Sequence, residues 1–284
     1  MLPRYALAEF IRNALAEDIG AGDITTETVL QGSETGIALA SAKNDLVVAG
    51  IEVFGEVFLT LDPALTFTPL KKDGDRARNG ESLAQIAGSL ASILTAERVA
   101  LNLLQRLSGI ATMTRRYVDE TAQTKVRILD TRKTVPGLRA LDKYAVRIGG
   151  GFNHRFALYD GVLIKDNHIA AAGGISEAVA RAKKKIPHTL KIEVEVKNHE
   201  ELQEALSAGV DAILLDNMDV AQIAQAVWIA KGRAALEASG NMTLANIRAV
   251  AETGVDFISV GSLTHSVLAA DISLNIQRTQ RFDE

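Results

Sequence analysis

The chain has 284 residues, of which 47% are hydrophobic and 5% aromatic, and its formal net charge at pH 7 is −4. This length and apolar content are typical of a globular protein with one large or two medium domains. The acidic balance and the few aromatic residues disfavour a nucleic-acid binder, and no apolar run approaches the roughly 20 residues of a membrane span. Because the chain has no cysteine and residues 1–18 lack the apolar core of a signal peptide, we predict a cytoplasmic protein without disulfides.

The first half of the chain predicts an α+β domain. Short β-rich runs follow one another with hairpin-like links, which favours an antiparallel sheet. The predicted strands are residues 37–42, 45–49, 65–70 and 82–88, with one helix at 51–61 and a longer helix at about 92–107.

The second half alternates strands with helices. Strands are predicted at 126–129, 162–164, 190–196, 212–215, 234–236 and 257–260, and helices at 176–185, 198–208, 219–230 and 243–252. This order indicates parallel strands joined by crossover helices. Six such units favour a closed or nearly closed α/β barrel over an open sheet.

Polar residues follow or interrupt each predicted barrel strand at its carboxyl end, which is where the active site of an α/β barrel forms. They are Asp130 to Lys133, Lys165 to His168, Glu193 and Glu195, Asp216 and Asn217, Glu237 to Gly240, and Gly261 with Ser262. Inward-pointing polar groups must find partners. Six polar strand ends in succession therefore predict a functional site.

Residues 127–155 form a basic cluster in an acidic protein. Seven cations (Arg127, Arg132, Lys133, Arg139, Lys143, Arg147, Arg155) stand against two acids (Asp130, Asp142). An anion site would offset the self-repulsion of such a cluster. For Arg139, Lys143 and Arg147, spaced four apart, a solvated basic helix face fits equally well.

The chemistry of the strand-end residues falls into three groups. Cationic side chains suit carboxylates or phosphates. Glu195 and Asp216 suit Mg²⁺ or sugar hydroxyls, and the glycine-containing ends before the last two helices suit a phosphate. Together they point to a phosphorylated sugar substrate. We interpret His168 and His199 as surface or structural residues, and Glu193 as a partner that balances a nearby cation.

Ten strings, spread in order over essentially the whole chain, carry a resemblance to a known family. They are TAER at 95–98, LSGIAT at 107–112, DTRKTVPGLR at 130–139, KYAVR at 143–147, GGGFNHR at 149–155, LIKDNHI at 163–169, EVEV at 193–196, LDNM at 215–218, LEASG at 236–240 and VGSLTHS at 260–266. In these strings the chain closely resembles quinolinate phosphoribosyltransferase (decarboxylating), also called nicotinate-nucleotide pyrophosphorylase (carboxylating).

The resemblance implies an N-terminal α/β sandwich domain over residues 1–107, joined by the C-terminal tail 268–284. It implies an incomplete α/β barrel of the type II phosphoribosyltransferase kind over residues 108–267. The implied reaction joins quinolinate to 5-phosphoribosyl-1-pyrophosphate with Mg²⁺, and gives nicotinate mononucleotide, pyrophosphate and CO₂ for NAD biosynthesis. A homodimer with shared active sites is also implied, and assembly into hexamers is left open.

The resemblance also assigns expected roles to residues. Arg132, His154, Arg155 and Lys165 are expected around the quinolinate carboxylates, Lys133 with Lys165 near the pyrophosphate or ribose, Glu195 and Asp216 at the ribose hydroxyls and Mg²⁺, and Ser239, Gly240, Asn241, Gly261 and His265 around the 5-phosphate. Lys133, Lys165, Glu195 and Asp216 are the expected catalytic residues. Arg98 is expected to reach the site of a neighbouring subunit, although an ion pair with Glu97 fits the sequence equally well. The family usually has glycine at the position of Asn241.

Three other functions compete with this one. A molybdenum-utilisation paralogue shares the fold, but we expect its strings at 130–131 and 165–168 to differ from those present here. A non-catalytic protein that binds phosphoribosyl pyrophosphate or a pyridine acid would not need the pair Glu195 and Asp216. A transferase using nicotinate would need fewer cations than the dicarboxylate quinolinate.

Overall fold

The computed structural model describes residues 4–277, and the chain divides into two compact units. The first contains the residues up to Met113, Pro136–Gly149 and the residues from Val267 onward, and the second contains Thr114–Val135 and Gly150–Ser266. The predicted boundaries at 107/108 and 267/268 remain predictions, and 278–284 of the predicted tail lie outside the described residues. Packing groups Pro136–Gly149 with the first unit, a segment that the predicted boundaries leave in the barrel.

The first unit is built on an antiparallel sheet. Its elements are α1 Arg4–Ile19, α2 Ile24–Val29, β1 Thr35–Ala42, β2 Leu46–Val47, α3 Ile51–Leu61, β3 Thr66–Pro69, β4 Arg76–Ala77, β5 Ser82–Ser89, the start of α4 Leu90–Glu120, and, further along the chain, α5 Arg139–Ile148 and β12 Ile272–Gln277. The main sheet has the order β12-β1-β5-β3, and β2 pairs with β4 separately. The predicted antiparallel arrangement is confirmed.

The core of this unit lies between α3 and the sheet. The rings of Phe54 and Phe58 pack edge to face with their centroids 5.1 Å apart. The ring of Phe67 on β3 packs in the same way against Phe54, with a centroid distance of 6.5 Å. A β-carbon on Gly55 would lie 2.5 Å from the Phe67 ring, so only glycine permits this approach of helix to strand. The apolar spacing that predicts a helix at 51–61 therefore gives the observed element with the same bounds.

The predicted end of the long helix at Leu107 is wrong, because α4 continues to Glu120. Ser108 and Gly109 resemble a helix stop in the sequence, but tertiary contacts use both. The buried Ser108 hydroxyl accepts a hydrogen bond from the Ala49 amide at 3.1 Å. A β-carbon on Gly109 would lie only 2.2 Å from the carbonyl oxygen of Leu268, so the small residue lets the returning chain pass.

The second unit contains a parallel sheet of six strands. Its elements are β6 Arg127–Leu129, β7 Val162–Ile164, α6 Asp166–Ala172, α7 Ile175–Lys185, β8 Ile192–Val196, α8 His199–Ser207, β9 Ala212–Asp216, α9 Val220–Ala230, β10 Ala235–Ser239, α10 Ile247–Glu252, β11 Phe257–Ser259 and α11 Ser262–His265. The order is β6-β11-β10-β9-β8-β7, and every neighbouring pair is parallel. Among the described residues β6 and β7 remain edges, which agrees with the incomplete α/β barrel that was predicted.

Alternation along the strands carries polar side chains into one face of this sheet. In β8, Ile192, Val194 and Val196 are buried on one face, while Glu193 and Glu195 project from the other. Side chains cap two of the helices: Asn198 and Asp219 accept amide hydrogen bonds at the starts of α8 and α9. The helix predicted from residue 243 begins only at Ile247, because Asn246 accepts a hydrogen bond from the Thr243 amide and forms a turn first. No helix among residues 4–277 is long and apolar enough to cross a membrane.

Candidate active site

A cavity of about 610 Å³ opens at the carboxyl ends of the parallel strands. Twelve of the thirteen predicted site residues line it: Arg132, Lys133, His154, Arg155, Lys165, Glu195, Asp216, Ser239, Gly240, Asn241, Gly261 and His265. The sheet thus brings together side chains that lie far apart in the sequence. Asn217, Met242, Ser259, Ser262 and Glu237 line it as well.

Asp130 anchors the loop that carries the neighbouring residues His154 and Arg155. Its side chain is fully buried at the end of β6. One carboxylate oxygen accepts a hydrogen bond from the His154 amide at 2.9 Å, and the other accepts one from the Asn153 side chain at 2.5 Å. The carboxylate therefore fixes the backbone of residues 153–154 and shapes the cavity without contributing an exposed charge.

His154 has both ring nitrogens engaged by the protein. Its Nδ1 accepts a hydrogen bond from the Arg155 amide at 2.8 Å. Its Nε2 lies 3.0 Å from Glu193 and 3.6 Å from Glu237. Because Nδ1 faces an N–H donor, the ring is the neutral tautomer with its hydrogen on Nε2. The sequence interpretation of Glu193 was that it balances a nearby cation, and its charge acts on the neighbouring Arg155.

Arg155 is held in a direction set by the backbone. Its Nη1 donates a hydrogen bond to the Gly161 carbonyl at 2.8 Å. Burial, together with the nearby charge of Arg132, lowers the pKa of Arg155, and Glu193 opposes that change. An arginine remains charged under such a shift. Two guanidinium groups that repel one another in partial burial form a site that an anion would stabilise.

Glu237 is a cavity residue for which the sequence analysis gave no role. Its side chain is only 4% exposed. Burial, followed by the charge of Glu193, raises the pKa of Glu237 to about 8, while the Ser259 hydroxyl opposes that shift. Its Oε1 has no hydrogen-bond partner among the described residues. The sequence does show an acidic residue inside an otherwise apolar strand. It does not show that the carboxyl group holds a proton, because that depends on contacts in the folded protein.

Lys165 and Glu195 form an ion pair on the cavity wall. Lys165 Nζ lies 3.1 Å from Glu195 Oε2, with the carboxylate the more buried partner. Asp216 lies at the end of the neighbouring strand β9 and also lines the cavity.

His168 Nδ1 accepts a hydrogen bond from the Lys165 amide at 3.0 Å, so it caps α6 as a structural residue, as predicted.

The segment after β10 makes a tight turn whose backbone requires unusual residues. Gly240 has φ +94°, and a β-carbon there would lie 2.2 Å from the side-chain oxygen of Asn217. Asn241 has φ +50° and donates a hydrogen bond from Nδ2 to that oxygen at 3.2 Å. Asparagine adopts left-handed angles more readily than most residues. The structure therefore explains how asparagine occupies a position where the resemblance leads us to expect glycine.

Gly261 brings the end of β11 close to the loop after β6. A β-carbon on Gly261 would lie 3.2 Å from both Lys133 Cδ and His265 Cδ2. The hydroxyl of Thr264 donates a hydrogen bond to the Lys133 carbonyl at 2.8 Å. Lys133, Gly261 and His265 are thus packed against one another, which the sequence separation of more than 120 residues did not show.

Arg98 is the predicted site residue that does not line this cavity. Its side chain is 59% exposed and lies 3.9 Å from Glu97, which is the ion-pair alternative left open by the sequence. Its role toward a neighbouring subunit remains a prediction.

Of the basic residues on α5, Lys143 is 3% exposed, so the interpretation as a solvated helix face is wrong for Lys143.

The charges on the cavity wall favour a multiply charged anion. Four cations, Arg132, Lys133, Arg155 and Lys165, face two carboxylates, Glu195 and Asp216, while His154 is neutral and Glu237 is an acid of raised pKa. A parallel α/β sheet with such a site at its strand ends defines an incomplete α/β barrel with an anion-binding site.

Comparison with known proteins identifies the family. The sequence models of the quinolinate phosphoribosyl transferase N-terminal and C-terminal domains match residues 23–108 and 110–275. The nicotinate-nucleotide pyrophosphorylase of Francisella tularensis has 44% identity and a TM-score of 0.93, with 98% of each chain covered. That of Ehrlichia chaffeensis has 46% identity and a TM-score of 0.91, covering 95% of this chain and 98% of the other. A quinolinate phosphoribosyltransferase (decarboxylating) of Nicotiana tabacum is 42% identical over 96% of this chain and 83% of its own length.

The chain therefore belongs to the quinolinate phosphoribosyltransferase family.

Proposed function

We propose that this protein transfers the phosphoribosyl group of 5-phosphoribosyl-1-pyrophosphate to the nitrogen of quinolinate, with release of pyrophosphate and CO₂ and formation of nicotinate mononucleotide, as a step in NAD biosynthesis. The observation that carries this proposal is the cavity in which four cations, two carboxylates and two glycine turns meet. Relatives more than 40% identical over most of their length carry names for this activity, which supports it further.

The cationic side chains would bind the dicarboxylate. Arg132, Arg155 and Lys165 present donors suited to carboxylate oxygens. His154 uses both nitrogens within the protein, so its proposed contribution is to shape this wall and to fix the Arg155 amide. The backbone around Gly240, Asn241 and Gly261 would receive the 5-phosphate, with His265 beside it.

Mg²⁺ is the metal that we propose for the reaction, and the donor set fits it. Glu195 and Asp216 end neighbouring strands and offer hard carboxylate oxygens, which Mg²⁺ prefers. Glu195 Oε2 also lies 3.1 Å from Lys165 Nζ, so this carboxylate would be shared between the lysine and Mg²⁺. Water and phosphate oxygens would complete the coordination shell of the ion. When bound, Mg²⁺ supplies positive charge to the pyrophosphate oxygens.

The protein's own groups would promote the chemistry through position and charge. As pyrophosphate departs, Lys133 would stabilise the negative charge that develops on it, and the carboxylates of Glu195 and Asp216 would stabilise the positive charge on the ribose. The pyridine nitrogen then bonds to the ribose carbon. The resulting positive nitrogen withdraws electrons, so the neighbouring carboxylate leaves as CO₂. No nucleophilic side chain is required.

The remaining features of the proposal concern assembly and location. We propose a homodimer in which Arg98, an exposed arginine, is donated to the cavity of the partner subunit. Light scattering of the purified protein would give its molar mass in solution and would distinguish a dimer from a hexamer. A cytoplasmic location completes the proposal.

The test is formation of nicotinate mononucleotide and pyrophosphate from the two substrates with Mg²⁺. We expect Lys133→Ala to lower kcat by about 10²-fold, because one well-placed charge is lost at the leaving group. Lys184→Ala is the matched control, since Lys184 is an exposed lysine of α7 outside the cavity. Equal activity of the two variants would contradict the assigned role of Lys133, and no product from the wild type would contradict the proposed function.

A further inference from the structure

The side chains of His154, Glu193 and Glu237 form a largely buried cluster. One ligand-type atom from each lies within 4.8 Å of the other two. Nε2 of His154 lies between the two carboxylates, 3.0 Å from Glu193 and 3.6 Å from Glu237. Two carboxylates this close repel one another when both are ionised, and the more buried of the two gains most from holding a proton.

Glu237 is the more buried of the two carboxylates. Its side chain is 4% exposed against 14% for Glu193, and it lies farther from His154, at 3.6 Å against 3.0 Å. Burial, followed by the negative charges of Glu193 and of Asp130 at the end of β6, raises the pKa of Glu237 to about 8, and the Ser259 hydroxyl on β11 opposes this only in part. Glu237 is consequently the neutral acid at pH 7.

The same tautomer of His154 disfavours a metal ion in this cluster. Binding through Nε2 would need a lone pair there and a hydrogen on Nδ1. That hydrogen would point at the Arg155 amide, which already donates to Nδ1 at 2.8 Å. The cluster is therefore arranged to hold a proton.

Glu237 is also placed to use its proton. Glu195, Leu214 and Glu237 are in register across β8, β9 and β10, and all three line the cavity. The Oε1 of Glu237 is buried without a hydrogen-bond partner among residues 4–277. An unsatisfied buried oxygen is costly and calls for a ligand atom as its partner.

We propose that Glu237 is a catalytic acid that delivers its proton to the pyridine carbon from which CO₂ departs. This inference rests on the proposed function. The bond from the ring carbon to the carboxylate breaks, its electron pair stays on the carbon, and the proton of Glu237 forms the new C–H bond. Glu237 is left as a carboxylate and takes up a proton from solvent after the product leaves.

The experiment follows pyrophosphate and CO₂ separately in a single turnover. In Glu237→Gln, which cannot donate a proton, we expect pyrophosphate to form at the wild-type rate and CO₂ release to slow by about 100-fold. Glu237→Asp, which retains an acid, should recover part of that loss. Glu177→Gln is the matched control, because Glu177 is exposed and pairs only with Arg181 among the contacts described for it. Equal slowing of both products in Glu237→Gln would overturn the proposal, since that is the mark of a structural or binding role.

A second measurement uses the wild type, so that a poorly folding variant cannot conceal the answer. Because burial raises the pKa of Glu237 to about 8, single-turnover CO₂ release should fall as pH rises through that value. A CO₂ rate that stays constant from pH 7 to 9.5, or tightly bound metal that is lost in Glu237→Gln, would overturn the proposal. If the wild type forms neither pyrophosphate nor CO₂, the proposed function itself fails, which is a different result.

Discussion

The turn at Gly240 gives the sharpest prediction about the cavity. Alanine there has to adopt φ +94°, which costs about 1–2 kcal/mol. Its β-carbon would also lie 2.2 Å from the Asn217 side-chain oxygen and 3.1 Å from the Asn217 amide nitrogen. Moving that oxygen breaks the hydrogen bond from Asn241, which adds about 0.5–1.5 kcal/mol. We therefore expect Gly240→Ala to destabilise the protein by about 2–3 kcal/mol.

Thermal and urea unfolding would measure this loss, with a fall in Tm of about 4–12 °C. Gly173→Ala is the matched control, because Gly173 has φ +93° and no atom within 4 Å of an added β-carbon. The control should lose only the backbone contribution of about 1–2 kcal/mol. We also expect the KM for phosphoribosyl pyrophosphate to rise in Gly240→Ala alone. Equal losses of stability, with an unchanged KM, would refute the reasoning about this turn.

Two further predictions concern stability. Gly55→Ala places a β-carbon 2.5 Å from the Phe67 ring, so urea unfolding should show a loss of about 1–3 kcal/mol, and an unchanged midpoint would contradict the packing of α3 on β3. Because the folded protein raises the pKa of Glu237 to about 8 from its ordinary 4.5, the folded state retains a proton that the unfolded chain releases. The free energy of unfolding should therefore fall as pH rises from about 4.5 to 8, and Glu237→Gln should flatten that slope in urea titrations at several pH values; an unaltered slope would refute it.

The strands of the barrel were the most predictable part of the fold. All six were located within about two or three residues at each end, because buried parallel strands read as short apolar runs between turn residues. The long helix α4 was predicted too short because Ser108 and Gly109 have local preferences that the packing overrides. β12 was not predicted, since its stability comes from pairing with β1, more than 220 residues earlier in the chain.

The composition of the site was predictable, but its protonation was not. Strand ends and family strings located twelve lining residues, because several follow the ends of parallel strands and the others lie in the strings that carry the resemblance. The neutral state of His154 depends on the direction of one backbone amide, and the proton on Glu237 depends on its burial and then on its distance from Glu193. Neither the direction of an amide nor the distance between two side chains can be read from the sequence. The role of Arg98 depends on a second subunit and stays a prediction.

The central claim is tested most directly by release of ¹⁴CO₂ from quinolinate labelled in the carboxyl group next to the ring nitrogen. We expect the wild-type protein to release label only when phosphoribosyl pyrophosphate and Mg²⁺ are both present, with one pyrophosphate formed for each CO₂. Measurable binding of either substrate without release of label would contradict the account and leave a binding protein or a paralogue of different activity.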